Sequence, residues 1–85
     1  MQLQSVSAID KAQALLHLQS WIERVRPDIV RLSPTIDLIE ERVIDSLQFM
    51  NFIAYIEELR GASIRADDID MIHFSTLTLI VDKFF

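Results

Sequence analysis

The stretch Val43-Ile44-Asp45-Ser46-Leu47-Gln48 decides the fold, because an irregular segment gives way there to a helix. Asp and Ser suit a helix start, since their side-chain oxygens accept backbone N–H groups that have no partner in the first turn. Ser46 is expected at the helix N-terminus, with Asp45 as a second capping acid. From Leu47 the helical pattern runs to Leu59 or Arg60, and Gly61 supplies the stop. Stepping about 100° per residue gathers Phe49, Phe52, Ile53, Ile56 and Leu59 on one face, which reads as core. The other face holds Leu47, Met50, Asn51, Ala54, Glu57 and Glu58. A solvated helix face is polar almost throughout. This one is apolar beside Ser46 and acidic further along, the pattern of a docking surface with a charged rim. A serine used as a hydrolytic nucleophile needs a base close by, and none is evident in this stretch. A serine that another enzyme modifies needs only exposure and a face on which to dock.

Composition narrows the classes. At 85 residues the chain is expected to form one domain, 1–85, and 51% hydrophobic residues suffice for one core and argue against disorder. One Gly and two Pro are too few for a turn-rich all-β fold. The formal net charge is −5, and the 8 basic residues never cluster, which argues against binding DNA or RNA. An acidic surface favours basic protein partners instead. The absence of Cys excludes disulfides and intrinsic thiol chemistry. No apolar run reaches the roughly 18 residues of a membrane span, and Met1-Gln2-Leu3-Gln4 does not read as a signal, so a cytoplasmic location is expected.

Outward from the central helix, Ser7 and Asp10 have the spacing of a capping box and place the start of a first helix near Ser7. Leu15, Leu18, Ile22 and Val25 form its apolar face, with Trp21 at the edge and Leu16 off it. Pro27 ends the helix, because it disfavours helical backbone at Arg26. From Pro27 to Asp45 no period persists, yet Ile29, Val30, Leu32, Ile36, Leu38, Ile39, Val43 and Ile44 are apolar. A long loop packed on the core is expected, with room for one short helical turn. After Gly61, Ile64 anchors a link. Asp67 and Asp68 suit the first turn of a brief helix through about Ile72. Ser75 or Thr76 can cap a last helix whose face is Leu77, Ile80, Val81 and Phe84. The expected fold is all-α: a small four-helix bundle of three main helices plus one short one. His17 and His73 are isolated, and Asp67, Asp68 and Asp70 lack the other ligands of a calcium loop, so no metal site is expected.

This layout, with Asp45-Ser46-Leu47 opening the second helix after a long loop, resembles the acyl carrier protein superfamily. The resemblance covers roughly Trp21 to Phe84. Its best matches are residues 38–47 (Leu-Ile-Glu-Glu-Arg-Val-Ile-Asp-Ser-Leu), Phe52-Ile53-Ala54-Tyr55-Ile56-Glu57-Glu58, and a closing segment at residues 74–81. The resemblance implies that Ser46 receives 4′-phosphopantetheine from coenzyme A through a phosphodiester. The arm's thiol then carries an acyl or aminoacyl thioester. Asp45 would contact the modifying transferase, and Leu47, Met50, Asn51, Ala54, Glu57 and Glu58 would meet partner enzymes.

The implied partners are a phosphopantetheinyl transferase, an adenylating acyl or aminoacyl ligase, and downstream acyl-transfer or tailoring enzymes. The chain itself would be a monomer and not an enzyme. The family often carries Gly shortly before the Asp-Ser pair. Arg42 and Ile44 stand at those positions here, which predicts a different turn. Gln48 and Asn51 are neutral where fatty-acid carriers often have acids, which argues against fatty-acid-synthase partners, and the segment Ile39-Glu40-Glu41-Arg42-Val43-Ile44-Asp45-Ser46 looks closer to the D-alanyl, aminoacyl and peptidyl branch. The alternative is a carrier-like interaction subunit that uses the same face and is never modified.

Overall fold

The computed structural model describes residues 9–85. Three α-helices, α1 (Lys11–Val25), α2 (Ser46–Arg60) and α3 (Leu77–Phe84), make up the regular structure, with no strand among the described residues.

Helix α1 starts later than the capping-box spacing predicts. Asp10 is itself the cap: its backbone is extended (φ −83°, ψ 171°), and its carboxylate accepts the Gln13 N–H at 2.8 Å. Ser7 lies outside the described residues. The helix stops at Val25, one residue short of Arg26-Pro27, as the proline requires. Ala14, Leu18 and Ile22 are fully buried, Leu15, Trp21 and Val25 are half-buried, and Leu16 points to solvent.

Helix α3 matches its sequence pattern closely. Thr76 caps it by accepting the Leu79 N–H at 3.1 Å, and Leu77, Ile80, Val81 and Phe84 are all buried. It packs on α1. Lys11 Nζ adds a brace, donating to the Val81 carbonyl at 2.9 Å at the far end of α3.

The brief helix expected over Asp67–Ile72 is instead a pair of 3₁₀ turns, Ala66–Asp68 and Met71–Phe74. The break falls at Asp70, whose backbone is extended (φ −135°, ψ 136°) and whose side chain takes the Ile72 N–H at 3.1 Å to start a new turn. An Asp that bonds local backbone in this way competes with helix continuation. The described fold therefore has three α-helices and no fourth.

Residues 26–45 contain no helix or strand, but they are not loosely held. Leu32, Leu38, Val43 and Ile44 are buried in the one core. Each such side chain gains about 1.5–3 kcal/mol relative to exposure, and gains of that kind offset the ordering of a segment without repeating structure. Polar ties add to this. Gln19 Nε2 donates to the Leu32 carbonyl at 2.9 Å, while the Glu23 carboxylate accepts the Leu32 N–H at 3.2 Å. The Leu38 N–H donates to the Ser75 carbonyl at 2.6 Å, and Thr78 donates to the Pro34 carbonyl from its N–H at 3.1 Å and its hydroxyl at 3.2 Å. The segment is thus stitched to α1 on one side and to the start of α3 on the other. Val30 alone among its apolar residues is fully out, at 92% exposed.

Aromatic rings close the core. Trp21 meets Phe52 at 5.2 Å and Tyr55 at 5.8 Å, which joins α1 to α2. Phe74 meets Phe49 edge-on at 5.5 Å and Phe84 at 5.2 Å, which joins α2 and α3 across the second 3₁₀ turn. Such pairs prefer offset or edge-to-face geometry and fix relative helix position beyond what area burial alone does.

Candidate functional site

The site is the start of α2. Asp45, not Ser46, is the N-cap: its backbone is extended (φ −89°, ψ 179°), and its carboxylate accepts the Gln48 N–H at 2.8 Å. Its carbonyl accepts the Phe49 N–H at 2.9 Å, the first bond of the helix. Ser46 is consequently the first helical residue, released from the capping duty that its sequence position suggested. The reason is geometric. A cap keeps extended backbone, as Asp45 does, and of the two N–H groups within reach of Ser46 the Asp45 carboxylate takes Gln48 and the Asp45 carbonyl takes Phe49.

The Ser46 side chain is exposed and makes no hydrogen bond to any described residue. The N–H groups of Ser46 and Leu47 likewise have no partner among the described residues. An exposed hydroxyl at the positive end of a helix dipole, beside two free backbone donors, suits a serine that carries a phosphate ester, since that end of a helix stabilises an anion.

The two faces of α2 separate as the periodicity predicts. Phe52, Ile53 and Ile56 are buried, and Phe49 and Leu59 are half-buried against them. On the opposite stripe Leu47 is 82% exposed and Met50 62% exposed, followed by exposed Asn51, Ala54 and Glu58. Glu57 departs from its expected place on a free rim. It is half-buried, and its carboxylate accepts the Ile64 N–H at 2.8 Å, so it braces the chain after α2. Of the two acids on this face, only Glu58 is fully presented to solvent.

The approach to Asp45 is built from a single helical turn over residues 37–41. Asp37 opens it by accepting the Ile39 N–H at 3.0 Å and the Glu40 N–H at 2.8 Å. Arg42 closes it in the left-handed region, φ 56°. The Arg42 N–H then donates to the Ile39 carbonyl at 3.1 Å and the Val43 N–H to the Leu38 carbonyl at 2.9 Å, the paired bonds of a Schellman helix end. The residue that was expected to change the turn therefore sits in the conformation glycine adopts most readily. Ile44, at the second glycine-bearing position of the family pattern, has no positive φ and is buried.

Arg26 is the residue that the sequence reading missed. Its Nη1 donates to the carbonyls of Arg42 at 2.9 Å and Val43 at 3.0 Å, directly ahead of Asp45. Its Nε and Nη2 grip the two carboxylate oxygens of Asp28 at 2.9 and 2.7 Å. The guanidinium is held above its ordinary range, chiefly by its hydrogen bonding to Asp28; desolvation opposes this, and the charges of Asp28 and Asp45 add to it. Asp28 is held below its ordinary range, chiefly by the hydrogen bond from Arg26. The only sequence signal for this brace was Arg26-Pro27-Asp28, in which proline folds two opposite charges toward each other at a helix end.

Other candidates do not converge on Ser46. His73 lies half-buried with Nδ1 at 3.1 Å from the Asp68 carbonyl, and no His, Asp and Glu cluster able to hold a metal occurs among the described residues. A groove of about 400 Å³, lined by Ile72, His73, Leu79, Asp82 and Lys83, does not include Ser46 or Leu47. No helix of the described residues is long and apolar enough to cross a membrane. No family model, curated protein or solved structure matches the chain.

Proposed function

We propose that this chain is a carrier of the acyl-carrier type, a small helical bundle whose Ser46 takes 4′-phosphopantetheine from coenzyme A. The observation that carries the reading is Ser46 itself: exposed at the first position of α2, uncommitted to capping, and next to exposed Leu47 and Met50. In the transfer, Ser46 Oγ forms a bond to the pantetheine-side phosphorus, the pyrophosphate P–O bond breaks, and adenosine 3′,5′-bisphosphate leaves. The hydroxyl proton passes to a base on the transferase, since Ser46 has no hydrogen-bonded base of its own among the described residues. The bound arm supplies a thiol for thioester chemistry. The chain's residues would hold the attachment point at a helix start, where the Ser46 and Leu47 N–H groups could serve the phosphate ester, and leave Leu47 and Met50 open to partner enzymes.

The neutral Gln48 and Asn51, with Ile39-Glu40-Glu41-Arg42-Val43-Ile44 ahead of Ser46, support an aminoacyl or other small acyl cargo loaded by an adenylating ligase. Downstream acyl-transfer or tailoring enzymes would receive the load, in a cytoplasmic setting and from a monomeric carrier.

The test is intact mass after incubation with coenzyme A and a broad-specificity phosphopantetheinyl transferase. One phosphopantetheine on the wild type and none on Ser46→Ala is the expected result. Folded wild type that gains no mass with several transferases would leave the second reading, an unmodified interaction subunit, which the same exposed Leu47 and Met50 also serve.

A further inference from the structure

Resting on the carrier reading, we propose that Arg26 is a positioning residue for modification of Ser46: it clamps the left-handed Arg42 turn and so fixes where Asp45 and Ser46 stand relative to α1. The connection is short and fully bonded. Arg26 closes α1, its N–H donating to the Ile22 carbonyl at 2.8 Å, so its own backbone is held by the core helix. Its guanidinium spans to the Arg42 and Val43 carbonyls. From Val43 only Ile44 intervenes before the Asp45 cap, and Ile44 is itself bonded to the Leu38 carbonyl at 3.2 Å.

The turn that Arg26 holds needs holding. A non-glycine residue at φ 56° brings its Cβ close to backbone, which disfavours this conformation against the alternatives open to the chain. An arginine is also the side chain that fits. Its planar fork can hold the Asp28 carboxylate on one edge while another N–H reaches two successive carbonyls. Lysine has the charge but not the fork. A transferase must present its reacting phosphorus to Ser46 Oγ in line, and displacements of about 1 Å in such placements lower rates steeply. A turn that relaxed toward ordinary φ would move Asp45 and Ser46 together, because the cap and the first helical residue are consecutive.

The experiment uses the full chain with coenzyme A and one phosphopantetheinyl transferase. The readouts are kcat/KM for transfer and amide hydrogen exchange at Val43 and Ile44. Arg26→Gln is expected to lower kcat/KM roughly tenfold and to speed exchange at both amides. Arg26→Lys should behave like Arg26→Gln, separating fork geometry from charge. Arg24→Gln removes the same charge from an exposed site at the end of α1 and should leave both readouts unchanged.

The deciding variant is Arg26→Gln combined with Arg42→Gly. Glycine takes the left-handed turn without strain, so it should restore most of the lost rate and the lost protection. A merely structural loss elsewhere in α1 would not be repaired at residue 42. Asp28→Asn, which leaves the guanidinium but loosens its other hold, gives a smaller change of the same sign and serves if Arg26→Gln does not fold. Wild-type rate in Arg26→Gln, or a loss that Arg42→Gly fails to relieve, overturns the clamp while the carrier reading stands. No transfer to folded wild type overturns the carrier reading and the positioning role with it, and the exchange data then report the clamp as part of the fold alone.

Discussion

Among the described residues, two helical turns end in the left-handed region, one on Gly61 and the other on Arg42, with φ of 72° and 56°. At Gly61 the Gly61 and Ala62 N–H groups both donate to the Glu57 carbonyl, at 2.9 and 3.3 Å. At Arg42 the Val43 and Ile44 N–H groups both donate to the Leu38 carbonyl, at 2.9 and 3.2 Å. The two turns share the bond from the residue after the left-handed one, Ala62 to Glu57 and Val43 to Leu38, while the left-handed N–H itself goes to Glu57 in one and to Ile39 in the other. Glycine reaches this geometry freely, whereas arginine gives up about 1–2 kcal/mol to do so. The difference lies in what surrounds each turn. The Gly61 turn is followed by exposed Ala62 and Ser63 and is braced by Glu57 on the Ile64 N–H. The Arg42 turn has buried Leu38 before it, buried Val43 and Ile44 after it, and Arg26 across it. Backbone strain persists only where its surroundings over-determine it. The over-determined turn is the one that leads into Ser46.

The largest effect should come from the apolar anchor of the strained turn. Leu38 is fully buried, and its carbonyl accepts the Val43 and Ile44 N–H groups. Leu38→Ala is expected to cost about 2–5 kcal/mol, by lost burial and the cavity left behind. Chemical denaturation measures it. A cost under about 1 kcal/mol would mean that the turn is held by polar ties alone and that the contrast with Gly61 is misread.

Next in size are the two exchanges at the left-handed positions, which should have opposite signs. Gly61→Ala places a Cβ where φ is 72° and is expected to cost about 1 kcal/mol. Arg42→Gly removes the strain but adds freedom to the unfolded chain, so the net gain should be under about 1 kcal/mol. In a domain of this size such changes move Tm by several degrees in either direction, roughly 4–8 °C per kcal/mol. Thermal melting of the two variants beside wild type decides it. If Arg42→Gly destabilises as much as Gly61→Ala does, the arginine contributes something at residue 42 that its φ does not show.

The same pair explains what was legible in the sequence. Gly61 announced its turn, because glycine after a helical run is a stop signal with a conformational reason. The faces of α2 and α3 were legible for a similar reason: periodic apolar residues such as Phe52, Ile56, Ile80 and Phe84 can be buried in only one way on a helix. Arg42 pointed the other way: standing where the resembled family often has Gly, it predicted a different turn, since arginine is rarely left-handed, and the contacts that hold it at φ 56° come from residue 26, far away in the chain. Glu57 was misplaced for a related reason. Periodicity gives the direction of a side chain, but not the Ile64 N–H that happens to lie there. Asp45 and Ser46 could each cap, and only the backbone angles give the cap to Asp45 and the first helical position to Ser46. Asp70 broke the expected short helix through a local side-chain bond that composition does not reveal.

The smallest expected effect is acid loosening of the Arg42 turn through Asp28. In the folded chain Asp28 is held below its ordinary value of 3.8, chiefly by the hydrogen bond from Arg26. A carboxylate lowered on folding contributes stability that is fully present above its unfolded value and is lost as pH falls through its folded value. At neutral pH the contribution is therefore complete, and it fades only below the ordinary carboxylate range. Arg26 is raised rather than lowered and stays charged throughout that window. Both side chains reach solvent, with 36% and 63% of their surface exposed, so salt should weaken the effect as it screens the pair. Amide exchange at Val43, corrected for its intrinsic pH dependence, should show less protection as pH drops toward about 3, more clearly at low ionic strength. Asp28→Asn should remove the pH dependence and resemble acidified wild type already at neutral pH. Arg42→Gly should blunt it, because a turn without strain has less need of the clamp. Protection at Val43 that falls equally in wild type and Asp28→Asn would assign the acid response to other carboxylates and detach Asp28 from the turn.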